Sequence, residues 1–289
     1  MQLLHFFLNT FVFIFGICIG SFLNCVIYRL EEKRSIKGRS VCPICKHQLS
    51  WRDLFPVLSF LFLGRKCRYC RKSISWQYPI VELTTGALFL LIFYISSEPF
   101  VLRLGLDNFQ QTSSSVLNFL NIAFLFYLSS VLIIIFFYDL NYYEIPDKVL
   151  LPGIAASFLY RSFEFINWDL FGIWKLGAEN FTFFLSYIFA AVVASGFFLA
   201  VFWSSSGRWM GFGDVKLAVL MGFLLGFPNI LAALFLAFVL GAAVGAVLLV
   251  FRKKGLKGEI PFGPFLVTGT FVVLFWGKEI IGWYLSFTV

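Results

Sequence analysis

Eight stretches of this chain read as apolar runs, near residues 3–27, 79–96, 116–138, 147–160, 181–203, 215–227, 229–251 and 262–287. Hydrophobic residues make up 60% of the 289 and charged ones only 13%, far below the quarter typical of a soluble domain. A helix needs about 20 apolar residues to cross the hydrocarbon, so about eight crossings consume most of the length. The expected fold is therefore an all-α polytopic membrane protein of about eight transmembrane helices. The fourth and sixth runs are short for a crossing. Only Phe227-Pro228-Asn229 divides the sixth from the seventh, and proline with asparagine signals a tight turn. Composition excludes a disordered chain and a secreted disulfide miniprotein.

The charges are concentrated in one place. Residues 29–78 hold 12 of the 23 Lys and Arg and three acids (Glu31, Glu32, Asp53), a local net charge of +9. A basic loop between spans is an orientation signal. Eight alternating spans put this loop, 139–148, 204–216 and 252–258 on one side with 19 basic residues, leaving Arg103, Arg161, Lys175 and Lys278 on the other. The 19 belong in the cytoplasm, beside anionic lipid headgroups, with both termini outside. No nucleic-acid partner is expected, because no nucleic-acid-reading motif accompanies the charge. Nor is a signal peptide expected: the first charged side chain is Arg29, so residues 3–27 have no basic n-region.

Four cysteines lie in the basic loop, as Cys42-Pro43-Ile44-Cys45 and Cys67-Arg68-Tyr69-Cys70. Two such knuckles offer four thiolates with tetrahedral-metal spacing, and in a reducing cytoplasm metal is favoured over disulfides. A structural zinc is expected, with iron as the alternative metal. Arg65, Lys66, Arg68, Arg71 and Lys72 would favour the thiolates, and His47 reads as a surface residue. The aromatic stretch from Ser50 to Phe62 is too short to span and reads as an interfacial segment. Cys18 and Cys25, seven residues apart on the first span, read as buried small hydrophobes.

Acids are costly inside a span, yet two stand where spans meet the cytoplasmic side. Asp139 ends the third span and Asp214 opens the sixth, in Gly211-Phe212-Gly213-Asp214-Val215-Lys216. Two neighbouring carboxyls cannot both ionise cheaply. They share a proton, one acting as base on a water and the other as acid toward a carbonyl oxygen, which is aspartic-protease chemistry. Gly211 and Gly213, lacking Cβ atoms, would let an extended peptide approach. The bland alternative is that both acids merely end helices. Lys216 would then pair with Asp214, and Asp147 reads as a helix start. Glu144 and Glu259 read as solvated. Glu82, the lone acid of the second span, either steers a cationic amine or pairs with a loop arginine.

These residues carry a resemblance that covers nearly the whole chain. Gly20-Ser21-Phe22-Leu23-Asn24-Cys25-Val26-Ile27-Tyr28-Arg29-Leu30, the double CxxC, the stretch Ile74 to Leu83, Asp139 with Ile145-Pro146-Asp147, the GxGD of Gly211 to Asp214, and Ile260-Pro261-Phe262-Gly263-Pro264-Phe265 follow in order. The chain thus resembles the prepilin peptidases, the bifunctional leader peptidase/N-methyltransferases of type IV pilus, type II secretion and competence systems. Cys25, Glu31 and Asn141 depart from the commoner residues of that pattern, and none is one of the acids.

The resemblance implies a bacterial inner-membrane enzyme with a cytoplasmic catalytic side and Asp139 and Asp214 as catalytic residues. Gly211, Gly213, Lys216, Asp147 and Glu82 would bind substrate or support the pair. It would cut the basic leader from prepilins or pseudopilins, usually after glycine, then methylate the new N-terminus from S-adenosylmethionine. That second activity is implied by the family alone, because no Rossmann-type glycine loop is present. The expected organisation is a first span (1–28), a cytoplasmic zinc-binding domain (29–78) and a protease core (79–289). Two rivals stay open at this point, a presenilin-like intramembrane protease and a proton-coupled transporter using the paired acids.

Overall fold

A computed structural model describes residues 2–35, 37–97, 114–171, 178–251 and 260–287. Arg103, Lys175, Glu259 and the basic run 252–258 fall outside these residues. The described residues contain no β-strand, only two isolated bridges, Val41 with Gln48 and Lys66 with Ser73. The chain divides into two compact units, 1–134 and 135–289.

The first unit begins with α1 (Gln2–Glu31). It is followed by the cysteine module, a 3₁₀ turn (Trp51–Leu54), the short α2 (Leu58–Phe62), α3 (Gln77–Ser97) and the first part of α4 (Ser114–Tyr142). Between α1 and α3 the packing is backbone against backbone. A Cβ on Gly16 would lie 2.8 Å from the Gly86 Cα, and one on Gly20 would lie 2.7 Å from the Glu82 Cα. Lipid offers no hydrophobic drive for helix association, so close contact through small residues holds such pairs together. Phe89 of α3 is fully buried and stacks on Phe126 of α4, the ring centroids 4.0 Å apart. Trp51, Phe55, Leu61 and Phe62 of the module lie exposed, the apolar surface an interfacial segment needs. Cys18, expected to be buried, is exposed, and Cys25 is half-buried.

In the second unit, α5 (Asp147–Phe171), α6 (Ala178–Ser205), α8 (Asn229–Val250) and α9 (Gly263–Leu285) all pack on the 14-residue α7 (Phe212–Leu225). At 1.5 Å per residue, α7 is about 21 Å long, short of the ~30 Å hydrocarbon thickness. Its length is tolerated because protein surrounds it: nine of its residues are buried, from Asp214 to Leu225. Gly226, at φ 68°, ends the helix in the left-handed region, and α8 starts three residues later, past the expected break. Arg161 of α5 donates to the carbonyls of Phe223 and Leu224 at 3.2 and 3.0 Å, pairs with Glu164 and lies over the Tyr187 ring. A cation there complements the carbonyl end of α7.

Helices thus stand at all eight expected positions, but among the described residues six are long and apolar enough to cross a membrane. The two others are α7, on length, and α5, which continues beyond residue 160 through the charged Arg161 and Glu164.

The tightest helix contact gives a stability test. A Cβ on Gly222 of α7 would sit 2.3 Å from the Ala191 Cα, whereas nothing lies within 4 Å of one on Gly196. Gly222→Ala is expected to cost about 1–3 kcal/mol by overpacking and to lower the melting temperature in detergent. Gly196→Ala, measured beside it, is expected not to lower it.

Candidate active site and metal centre

Asp139 lies near the end of α4, 5% exposed, and its Oδ2 accepts a hydrogen bond of 2.9 Å from the backbone N–H of Gly263, at the start of α9. A Cβ on Gly263 would fall 2.6 Å from that oxygen, so the approach depends on glycine. Sequence reasoning matched Gly263 to a pattern without giving it a role; its place between Phe262 and Pro264 at a helix start was the only signal. Asp214 occupies the first turn of α7, 8% exposed, and takes a hydrogen bond from the Gly211 backbone. The charges of Asp139 and Asp214 are close enough to repel. Two buried carboxyls in this relation share a proton, so one can act as base and the other as acid.

The chain between the two acids is tied back to α7. Tyr143, at φ 60°, ends α4 with its N–H on the Asp139 carbonyl at 2.9 Å. The Ile145-Pro146 turn then leads into α5. Asp147 opens that helix, and its carboxylate receives Lys216 Nζ at 2.7 and 2.8 Å. Lys216 therefore pairs with Asp147 and not with Asp214. The two glycines also differ. A Cβ on Gly213 would meet Ile145 at 3.0 Å, so that face is occupied by the chain itself. On Gly211 the nearest atom would be Asp214 Oδ2 at 3.8 Å, which leaves room beside the acid. The reading of both glycines as open to a peptide is thus narrowed to Gly211, because Ile145 fills the space at Gly213.

Among the described residues, Cys42, Cys45, Cys67 and Cys70 form the one cluster able to hold a metal ion, with all four sulfurs within 4.8 Å of one another. The two knuckles repeat the same backbone pattern. Cys42 N–H donates to His47 and Lys46 N–H to Cys42; Cys67 N–H donates to Lys72 and Arg71 N–H to Cys67, each at 2.9 Å. Lys46 and Arg71 close the turns in the left-handed region, at φ 58° and 60°. His47 is not among the four and packs on Tyr69 of the opposite knuckle, the centroids 3.8 Å apart.

Burial pushes the Cys42 thiol up, but the backbone N–H groups of Cys45 and Ile44 outweigh it and bring it down to about 7. For Cys45 the His47 backbone pulls down, yet burial and the neighbouring Cys42 and Cys70 win and push it up to about 11. Four sulfurs this close together fit the donor set of one tetrahedral cation. Asp53 ties this module together. Burial alone would raise its carboxyl, but Ser50 and the Arg68 guanidinium at 2.8 Å hold it below the usual range.

Glu82, on α3, is 6% exposed. Its Oε2 accepts the Val57 N–H at 2.7 Å and it also bonds the Ser21 side chain; among the described residues no ion pair reaches it. Of the two readings for Glu82, the loop-arginine pair is absent.

Comparison with known proteins accounts for both halves of this arrangement. Residues 14–96 match the bacterial peptidase A24 N-terminal domain, and residues 126–246 match the type IV leader peptidase family. A prepilin leader peptidase/N-methyltransferase of Bacillus subtilis (strain 168) is 30% identical over 96% of this chain and 98% of its own. One of Aeromonas salmonicida (strain A449) is 29% identical over 96% of this chain and 94% of its own. Another, of Myxococcus xanthus (strain DK1622), is 33% identical over 83% of this chain and 63% of its own. No solved structure matches. With both parts matched in order and a 30% identical relative covered almost end to end, the chain belongs to the type IV leader peptidase family.

Proposed function

We propose that this protein is a membrane aspartic endopeptidase that removes the basic leader from type IV prepilins or pseudopilins and then N-methylates the new N-terminus. The observation that carries the peptidase reading is the buried pair Asp139 and Asp214, with Gly263 and Gly211 donating to their carboxylates. One acid, unprotonated, takes a proton from the attacking water, and the other protonates the carbonyl oxygen of the scissile bond. Asp147 and Lys216 support the pair by joining the starts of α5 and α7. Gly211 leaves space for the peptide.

The methylation reading comes from the relatives, which are named leader peptidase/N-methyltransferases, and its donor is S-adenosylmethionine. Prepilins are the substrate partners. Neither the presenilin-like nor the transporter reading is favoured by the family match. The proposed setting is the bacterial inner membrane with the catalytic side cytoplasmic, supported by the +9 charge of residues 29–78, which suits anionic lipid. In functional terms the proposed division stays a first span (1–28), a zinc-binding module (29–78) and the protease core (79–289). Zinc is the proposed metal of the four cysteines: four thiolates close a tetrahedral site and leave no open position for catalysis, so the ion is structural.

Co-expression with a prepilin and intact mass of the product tests the enzyme reading. Asp139→Asn and Asp214→Asn are each expected to abolish leader removal; full cleavage by either variant overturns the pairing. Gly263→Ala is expected to cut the cleavage rate at least tenfold by displacing the Asp139 carboxylate, while Lys216→Met reduces it less.

Metal analysis of the purified protein is expected to find one zinc per chain. Cys42→Ser and Cys67→Ser should each lose it and speed proteolysis within residues 32–76. Iron in place of zinc, or wild-type protein without stoichiometric metal, overturns the assignment.

A further inference from the structure

Four acids lie on the segments that meet at the site: Asp139, Glu144, Asp147 and Asp214. Three are already engaged. Asp139 and Asp214 are buried as the acid pair, and both carboxylate oxygens of Asp147 receive Lys216 Nζ. Glu144 is exposed, and among the described residues no ion pair or side-chain hydrogen bond reaches it. Its place is nonetheless fixed from both sides. Tyr143 before it is a bulky residue at φ 60°, with its N–H on the Asp139 carbonyl at 2.9 Å. Left-handed backbone is unfavourable for such a residue and persists only where the surroundings hold it. Ile145 after it precedes a proline, which restricts its backbone to extended conformations.

The same segment touches the helix that carries Asp214. A Cβ on Gly213 would lie 3.0 Å from the Ile145 Cβ, and Gly213 adjoins Asp214. One Cα step of about 3.8 Å on each side of that contact keeps the Glu144 Cα within about 14 Å of the Asp214 Cα. An extended peptide covers that distance in about four residues. A substrate cut at the acid pair therefore passes Glu144 with a residue about two to four positions from the cut. Of the two sides of the cut, the leader carries the basic residues, which an exposed carboxylate complements.

We propose that Glu144 is a specificity-determining residue that receives a lysine or arginine of the leader about two to four residues before the scissile bond. The proposal rests on the peptidase reading above and adds how the leader's charge is recognised. The carboxylate takes no part in breaking the bond. It holds the charged leader equally before and during the reaction, so its contribution lies in KM. A pair formed at an exposed rim gives a several-fold effect, and salt screens it.

The test uses the full-length protein in lipid nanodiscs and synthetic prepilin peptides that differ at one leader position, about three residues before the cut: lysine, glutamine or glutamate. The wild type is expected to cleave the lysine leader with the lowest KM. Glu144→Gln is expected to raise that KM about threefold, to change the glutamine leader's KM less, and to lose its effect in about 0.5 M salt. Glu144→Lys is expected to reverse the order, cleaving the glutamate leader with a lower KM than the lysine leader, which a misfolded enzyme cannot do. A lysine moved more than about six residues from the cut is expected to lose its sensitivity to either substitution. A wild type with equal KM for all three leaders, a loss confined to kcat, or a Glu144→Lys enzyme that keeps the wild-type order overturns the role of Glu144 and leaves the peptidase reading standing. A wild type that cleaves none of the peptides and no co-expressed prepilin overturns the peptidase reading, and this role with it.

Discussion

The second unit depends on a helix too short to live in lipid by itself. Fourteen residues leave α7 about 21 Å long, and unpaired backbone groups at its ends would be costly in hydrocarbon. The surrounding helices remove that cost. Arg161 meets its last carbonyls, Gly222 admits the α6 backbone, and Gly226 turns the chain away. The same shortness has a consequence at the other end. In the first turn of α7, Asp214 and Val215 are buried while Phe212 stays exposed. A helix's first turn carries N–H groups that favour an acid, and Asp214 there has a second acid as neighbour.

In the first unit a different device brings backbone close to backbone. Glycines 16, 20 and 86 let α1 and α3 approach so closely that a single Cβ would collide. Beyond that contact, α1 and the module are joined by polar ties. Arg29 donates to the carbonyls of Gly38 and Arg39, and Lys46, next to Cys45, reaches Glu32 and the Tyr28 hydroxyl. Each knuckle holds its two cysteines through its own turn, and the Asp53–Arg68 pair links the segment between the knuckles to the second one. The cysteine square is therefore organised by short-range backbone bonds, and the His47–Tyr69 contact reaches from one half to the other.

What could be read from the sequence follows from how local each signal is. Apolar runs and the double CxxC are local, so the helix positions and the cysteine square are legible in the order of residues alone. The length of α5 is not. Arg161 and Glu164 look like the end of a span, yet α7 lies beneath them, taking one charge on its carbonyls while the other completes the pair. Lys216 sits two residues from Asp214, and positions two apart on a helix do not face each other, so its partner comes from 69 residues away, at Asp147. Gly213 and Gly263 look alike in the sequence. Only three-dimensional packing shows that one is filled by Ile145 and the other makes room for the Asp139 carboxylate.

Buried acids in this chain meet the difficulty of carrying charge in two ways. Asp139 and Asp214 lie close enough for their charges to interact, and a single backbone N–H steadies each carboxylate. Glu82 stands outside any ion pair among the described residues. It has the Val57 N–H and Ser21, hydrogen bonds that help but do not replace a counter-ion.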